Sequence, residues 1–289
     1  MSSASSYLVP LVAAMSAFGV AGMSTEMAIG WQDDRPVSEL RVCADPNNLP
    51  YSNERGEGFE NALARLIAAD LHRTLRYTWW PQRRGFIRET LQAGRCDVVM
   101  GMPTTSQSVR LTQPYYRSSF MFVTRRDDHL PPAALDDAHL RRLRIGVHVV
   151  GGGNDVPPAH ALAARGMMAN VRGYSIYGDY SQPHPPSALI EAVARREIDV
   201  AVVWGPLAGY FARRQPAALD VEPIPARFDT PITPMAFDIS IAVRRADAQL
   251  QAALDGVLKR RRGDVRQLLQ RYDVPVVSGA SRRFARSME

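Results

Sequence analysis

The chain repeats itself, and that repeat limits the folds open to it more than any other feature. The stretches Leu91-Gln92-Ala93-Gly94-Arg95-Cys96-Asp97-Val98-Val99-Met100-Gly101 and Val193-Ala194-Arg195-Arg196-Glu197-Ile198-Asp199-Val200-Ala201-Val202-Val203 share one grammar. Each reads as a helix end, a charged turn, an aspartate and a short apolar run, the last being the mark of a buried parallel strand. Each has a matching strand start upstream, Leu40-Arg41-Val42 and Leu143-Arg144-Ile145. Arg41 to Asp97 is 56 positions and Arg144 to Asp199 is 55. Two α/β units of nearly equal length predict two similar lobes with something held between them.

Within the first unit the pattern alternates. A strand over 40–44 leads to a helix from Gly58 whose apolar stripe is Phe59, Leu63, Leu66, Ile67 and Leu71. A strand over 75–80, a helix over 86–93 and a strand over 97–101 complete it. This order predicts a parallel sheet with helices on both faces, and ligands of such sheets lie beyond the carboxyl ends of the strands. Those ends carry Asp45, Asn47, Tyr51, Trp80, Arg83, Arg84, Thr104 and Thr105. The second unit adds Gly152 and Asn154 before Pro157, Tyr177 in a tyrosine-rich stretch, and Trp204. We take these twelve as candidate cleft residues.

Plainer roles compete for several of them. Trp79 and Trp80 are adjacent on a strand and point to opposite faces, so one belongs to a core. Arg83 and Arg84 fit a surface ion pair equally well, and Asn47 and Asn48 fit local backbone bonding. Asp45 and Asp238 are the strand-end carboxylates suited to acid–base work, whereas Asp97 and Asp199 read as strand-turn residues. Ser187, Asp247 and Asp264 are expected helix N-caps.

Charge and targeting narrow the class. The net charge is +6, and of 35 basic residues only Lys259 is a lysine. They are spread thinly, with no basic stripe interleaved with aromatics, which argues against nucleic acid as a partner. Residues 7–23 are apolar but short for a membrane span. They fit a secretory leader over 1–28, cleaved after Ala21 or Ala28, although no Lys or Arg precedes them. An uncleaved anchor is the alternative; cleavage would leave no stable membrane span. Export permits a disulfide. Cys43 and Cys96 belong to the first and last strands of the first unit, neighbours in such a sheet, so we expect a Cys43–Cys96 disulfide, with two buried thiols as the alternative. No histidine pair accompanies them to make a zinc site. The glycine triplet at 151–153 lacks the spacing of a dinucleotide fingerprint. No cofactor is expected.

The succession Gly58-Phe59-Glu60, Leu91 to Asp97, Gly101-Met102 and Pro114-Tyr115-Tyr116 resembles the type II periplasmic solute-binding proteins. That resemblance implies an α/β fold of two Rossmann-like lobes joined by two hinge crossings, here 120–124 and 237–242. Lobe 1 would comprise 36–121 with 241–277, lobe 2 would comprise 122–240, and 278–289 would be a flexible tail. Three longer motifs look like one subfamily: Val42-Cys43-Ala44-Asp45-Pro46-Asn47-Asn48-Leu49-Pro50, Trp79-Trp80-Pro81-Gln82-Arg83-Arg84-Gly85-Phe86 and Trp204-Gly205-Pro206-Leu207-Ala208-Gly209-Tyr210. It is the quinoprotein-dehydrogenase-associated group, the J proteins of methanol-dehydrogenase gene clusters.

The narrower resemblance implies a non-catalytic periplasmic accessory protein. Its partners would be a pyrroloquinoline-quinone (PQQ)-dependent alcohol or methanol dehydrogenase and its cytochrome c, with a small molecule in the cleft as a further ligand. The chain departs from the amino-acid importers of the parent family. No Arg stands in Pro103 to Ser108, and Trp204 takes the place of an aspartate. A zwitterion requires both charges, so amino-acid import is not expected. Two other readings stand beside the first. One is the solute receptor of an ABC importer for a neutral or aromatic molecule, with Trp80 and Trp204 as stacking walls. The other is a dehydratase-type enzyme using Asp45 or Asp238.

Overall fold

The computed structural model describes residues 39–130, 134–150, 156–176, 184–230 and 233–278. The expected leader, the tail beyond 278 and the candidates Gly152, Asn154 and Tyr177 lie outside the described residues. The first unit runs β1 (Glu39–Ala44), a short hairpin of β2 (Asn47–Asn48) and β3 (Ser52–Asn53), α1 (Phe59–Asp70), β4 (Thr74–Trp79) and β5 (Val98–Pro103). Then β6 (Arg110–Leu111) and the long β7 (Tyr116–Arg125) lead into the second. That unit runs β8 (Ile145–Val149), α2 (Pro157–Ala163), β9 (Val171–Ser175), α3 (Ala188–Ala194), β10 (Val200–Trp204), α4 (Gly205–Ala212) and β11 (Leu219–Pro223). The chain returns on β12 (Ala236–Val243) and closes with α5 (Ala248–Arg260) and α6 (Arg262–Arg271).

The two units build the same object. In the first, β1 lies between β4 and β5, all parallel; in the second, β8 lies between β9 and β10, again parallel. An antiparallel strand borders each set, β12 beside β5 and β7 beside β10. β7 and β12 also pair with each other, Tyr116 opposite Ile239 through Ser119 opposite Ala236. From Phe120 onward β7 turns to β10, so this antiparallel ribbon carries the chain between the lobes. The α1 stripe buries Phe59, Leu63 and Ile67 against Val42 and Val98 of the sheet and Leu254 and Leu268 of the closing helices.

The repeat is realised as one clip made twice. The Asp97 N–H donates to the Arg41 carbonyl at 2.8 Å, and the Asp199 N–H to the Arg144 carbonyl at 2.9 Å. In return each carboxylate accepts from its arginine's backbone N–H, Nε and Nη2: 3.2, 3.0 and 2.6 Å at Asp97, and 2.8, 3.1 and 2.6 Å at Asp199. A planar guanidinium matches a carboxylate in this forked way, and the fork locks the start of one strand to the start of its neighbour. The lobe 1 copy is the more buried, and Arg244 reaches it at 3.1 Å. Burial pushes the Asp97 carboxyl up, but the Arg41 and Arg244 hydrogen bonds outweigh it and hold the group below its usual range.

Several local expectations change. The segment expected as a helix over 86–93 contains a wide π-turn at Arg88–Gln92, closed by the Arg95 N–H donating to the Thr90 carbonyl. Ser187 stands before α3 but does not cap it; its hydroxyl donates to Glu191 at 2.5 Å. Asp247 occupies the N-cap position of α5, yet its carboxylate turns to Arg244 at 2.8 Å. Asp264 lies inside the first turn of α6 rather than at its cap, and pairs with Arg261. In each case a nearby charged partner outbids the helix amides. Strand β11 was not foreseen, because Leu219-Asp220-Val221-Glu222-Pro223 is short and ends in proline. Pairing with β7 creates it.

A further tie joins the lobes beyond the ribbon. After α6 the chain lies along β7: the Ser118 hydroxyl donates to the Pro275 carbonyl at 2.6 Å, and the Val277 N–H to the Arg117 carbonyl at 3.0 Å. Tyr272 stacks on Tyr210 of α4 with centroids 6.1 Å apart. Gly209 of α4 faces the Asp273 carbonyl so closely that a Cβ there would overlap it. The Cys43–Cys96 disulfide is formed, with Cα atoms 5.6 Å apart and both residues buried.

Candidate functional site

A cavity of about 230 Å³ opens where the strand ends of the two units meet. Lobe 1 supplies Asp45, Asn47, Tyr51, Glu60 and Gly101 to its wall, β7 supplies Tyr116, and lobe 2 supplies Trp204 with an apolar side of Val150, Ile176 and Leu207. Of the sequence candidates, the fold therefore brings together Asp45, Asn47, Tyr51 and Trp204.

Asp45 is 4% exposed, and its carboxylate staples the entrance loops. It accepts from the Asn47 N–H at 2.8 Å and from the Gln82 N–H at 2.6 Å. That second bond also explains which residues miss the cleft. With the Gln82 backbone pinned and tight turns closing from Pro81 to Phe86, the Gln82 side chain reaches the cavity. Arg83 and Arg84 are sent outward and exposed. Trp80, expected as a stacking wall, lies on the other face of its strand end beside the disulfide and Phe86, with the Arg95 guanidinium 5.1 Å from its ring. Trp79 stacks on Tyr77 at 4.5 Å. Thr104 and Thr105 are exposed past the end of β5, where the Thr104 N–H is held by the Asp238 carbonyl at 3.0 Å. Asp238 itself pairs with Arg117 at 3.0 Å in the hinge ribbon and does not line the cavity. That removes it as a cleft acid.

Trp204 is more than a wall. It packs against the lobe 1 core and both cores of lobe 2, edge-on to Phe120 at 5.4 Å and to Phe237 at 5.7 Å. It lines the cavity together with Tyr51 and Tyr116. It plugs the hinge from the lobe 2 side.

The residue that sequence reasoning missed as a site is Glu60, second in α1. Gly101, at φ +73, makes room for it: a Cβ there would sit 2.6 Å from Glu60 Oε1. Its one hydrogen-bond partner among the described residues is the Tyr115 hydroxyl, which donates at 3.4 Å. Burial pushes its carboxyl up to about 8, the Tyr115 bond only partly opposing. The same burial, with the neighbouring Glu60 charge, raises the Tyr51 and Tyr115 hydroxyls well above their usual range. The sequence signal was present, an acid opening a helix directly after a strand-end loop. Its inward direction depends on Gly101, 41 positions away.

The cavity lining among the described residues thus holds two carboxylates and no cation. Among those residues no three His, Cys, Asp or Glu side chains gather as a metal site, and no helix is long and apolar enough to cross a membrane.

The family model for bacterial extracellular solute-binding proteins, family 3, matches residues 40–273. The chain belongs to that family. Its fold is the type II periplasmic binding fold, two α/β halves on a continuous sheet path. Within family 3 its likeness runs to the MoxJ group. It is 28% identical to Protein MoxJ of Methylorubrum extorquens over 250 residues, 82% of this chain and 81% of that protein. Among solved structures it is similar to periplasmic binding protein XoxJ from Methylobacterium extorquens AM1, with 32% identity and a TM-score of 0.68 over 83% of this chain and all of that one. MxaJ from Methlophaga aminisulfidivorans MPT gives 25% identity and a TM-score of 0.69, covering 82% of this chain and all of that one. As a family 3 protein the chain is a binding protein, and its cleft is the place to look for what it binds.

Proposed function

We propose that the chain is a non-catalytic periplasmic accessory protein of a PQQ-dependent alcohol dehydrogenase system, methanol oxidation being the leading case. On this reading it works by binding the dehydrogenase or its cytochrome c. The observation that carries the reading is the likeness to XoxJ over the whole of that chain, in company with the three long motifs of the quinoprotein-associated group. Two structural features support it. A solute receptor for amino acids needs a cation for the carboxylate, and the described lining supplies carboxylates instead. An importer's receptor also works by hinge closure, and here the 272–277 strap crosses the hinge and fastens β7 and α4 together.

The test is a pull-down from the source periplasm with the tagged mature protein at low and high ionic strength. Charged association weakens as salt screens it, so the dehydrogenase or its cytochrome should be retained, more at low salt. Retention of neither at either ionic strength would overturn this reading, and capture of a permease and its ATPase from detergent-solubilised membranes would replace it with an importer's receptor.

A further inference from the structure

The cleft is built for a charge that the protein does not itself provide. Asp45 and Glu60 face one cavity with Tyr51, Tyr116 and Trp204, and no Arg, Lys or His of the described chain lines it. Arg117 of the ribbon is committed to Asp229 at 3.1 Å and Asp238 at 3.0 Å. Asp45 is satisfied by two backbone amides. Glu60 is not, since among the described residues a single long bond from Tyr115 is what its carboxyl has. A carboxylate at the base of an aromatic-walled cavity, lacking a counter-charge, is the arrangement that takes up an organic cation. The rings attract the cation through their quadrupoles, and the acid pairs with it.

We propose that this cleft binds a small organic ammonium ion that carries no carboxylate, with Glu60 as its anionic anchor and Tyr51, Tyr116 and Trp204 as its aromatic wall. A cavity of about 230 Å³ limits the ligand to a few carbons around the nitrogen. Any acid group on the ligand would be driven against Asp45. The inference does not rest on the accessory reading, which concerns a protein partner, whereas this ligand lies inside the cleft.

Proton linkage gives the inference its signature. Glu60 binds the cation as a carboxylate, yet burial holds the group protonated up to about pH 8. The groups facing it are the Tyr51, Tyr77, Tyr115 and Tyr116 hydroxyls, all raised and uncharged across this range, and Asp45 across the cavity. Binding at pH 7 therefore expels a proton. Affinity should climb about tenfold per pH unit towards pH 8 and level off above it.

The experiment is isothermal titration of the purified, disulfide-intact protein with methylammonium, choline, glycine betaine and dimethylbutanol, the uncharged carbon isostere of choline, at several pH values. We expect one or both of methylammonium and choline to bind, more tightly as pH rises to 8, with proton release measured by changing the buffer. Glycine betaine and dimethylbutanol should bind at least about thirtyfold more weakly, the difference that a buried charge pair makes. Glu60→Gln should lose at least the same factor and the pH dependence with it. The comparison of choline with its isostere on the wild-type protein decides the matter even if that variant folds poorly. Absence of binding by both cations, equal binding of dimethylbutanol or glycine betaine, or an affinity flat between pH 6 and 8 would each overturn the proposal.

Discussion

Replacing Glu60 by Gln should change how stability depends on pH, in a direction fixed by linkage. The unfolded carboxyl titrates at 4.5, and in the fold burial carries it to about 8. A carboxyl that holds its proton more tightly when folded makes the native state bind the extra proton between those values. Stability contributed by the protonated form is complete below pH 4.5 and is lost as pH rises through 8. At about 1.4 kcal/mol per pH unit the full effect is about 5 kcal/mol. About 2 kcal/mol of it should fall between pH 6 and 8, with little further change above pH 9. Gln keeps the shape and cannot ionise. The assay is urea unfolding followed by tryptophan fluorescence at pH 5 to 9 on both proteins, reading the transition of lobe 1. The difference between them cancels every other titrating group. Wild type should lose about 2 kcal/mol relative to Glu60→Gln from pH 6 to 8. Profiles that stay parallel over that interval would refute the argument that burial governs this acid.

Three further outcomes follow from the same structure. The Cys43–Cys96 bond closes a separation of 53 residues, so the double Cys→Ser variant should lose about 4 kcal/mol by chain entropy; an unchanged urea midpoint would contradict this. The two copies of the clip should not be equal. Asp97→Ala leaves the half-buried Arg41 without its anion and Arg244 with Asp247 alone, and should cost about 2 kcal/mol. Asp199→Ala frees an Arg144 that is 56% exposed and should cost about 1 kcal/mol. Equal losses in thermal or urea unfolding would mean that burial does not separate them. Gly209→Ala sits inside α4, where helix propensity alone favours alanine by about 1 kcal/mol. Its Cβ would strike the Asp273 carbonyl, so the melting temperature should fall; a rise would show that the strap yields.

The clip is where sequence and structure speak the same language. Its two copies were visible as a spacing, and the structure shows why the spacing exists: one Arg–Asp fork fixes a strand pair in each lobe. Other elements were legible for a similarly local reason. The α1 stripe is periodic within a dozen residues, and Pro157 and Pro158 mark the start of α2, as proline does. Trp80 and Trp204 were indistinguishable as written, both aromatic and both at strand ends. One is turned to the disulfide and the other to the cleft. The arginines at 83 and 84 went outward because Asp45, 37 residues before Gln82, holds that backbone.

The sequence by itself determined the repeated α/β grammar, the expected adjacency of the two cysteine-bearing strands and the absence of an Arg in Pro103 to Ser108. Each of these is carried by residues whose neighbours in the chain are also their physical context, or by strands whose adjacency topology dictates. Only the tertiary structure decided that Glu60 faces the cavity, that Asp238 does not, that residues 272–277 cross the hinge and that Leu219–Pro223 is a strand. These depend on partners from 41 to well over a hundred positions away: Gly101 for Glu60, Arg117 for Asp238, Ser118 for Pro275. A side chain's direction and a carboxyl's proton affinity are set by what packs against it, and that is a property of the fold rather than of any local stretch of chain.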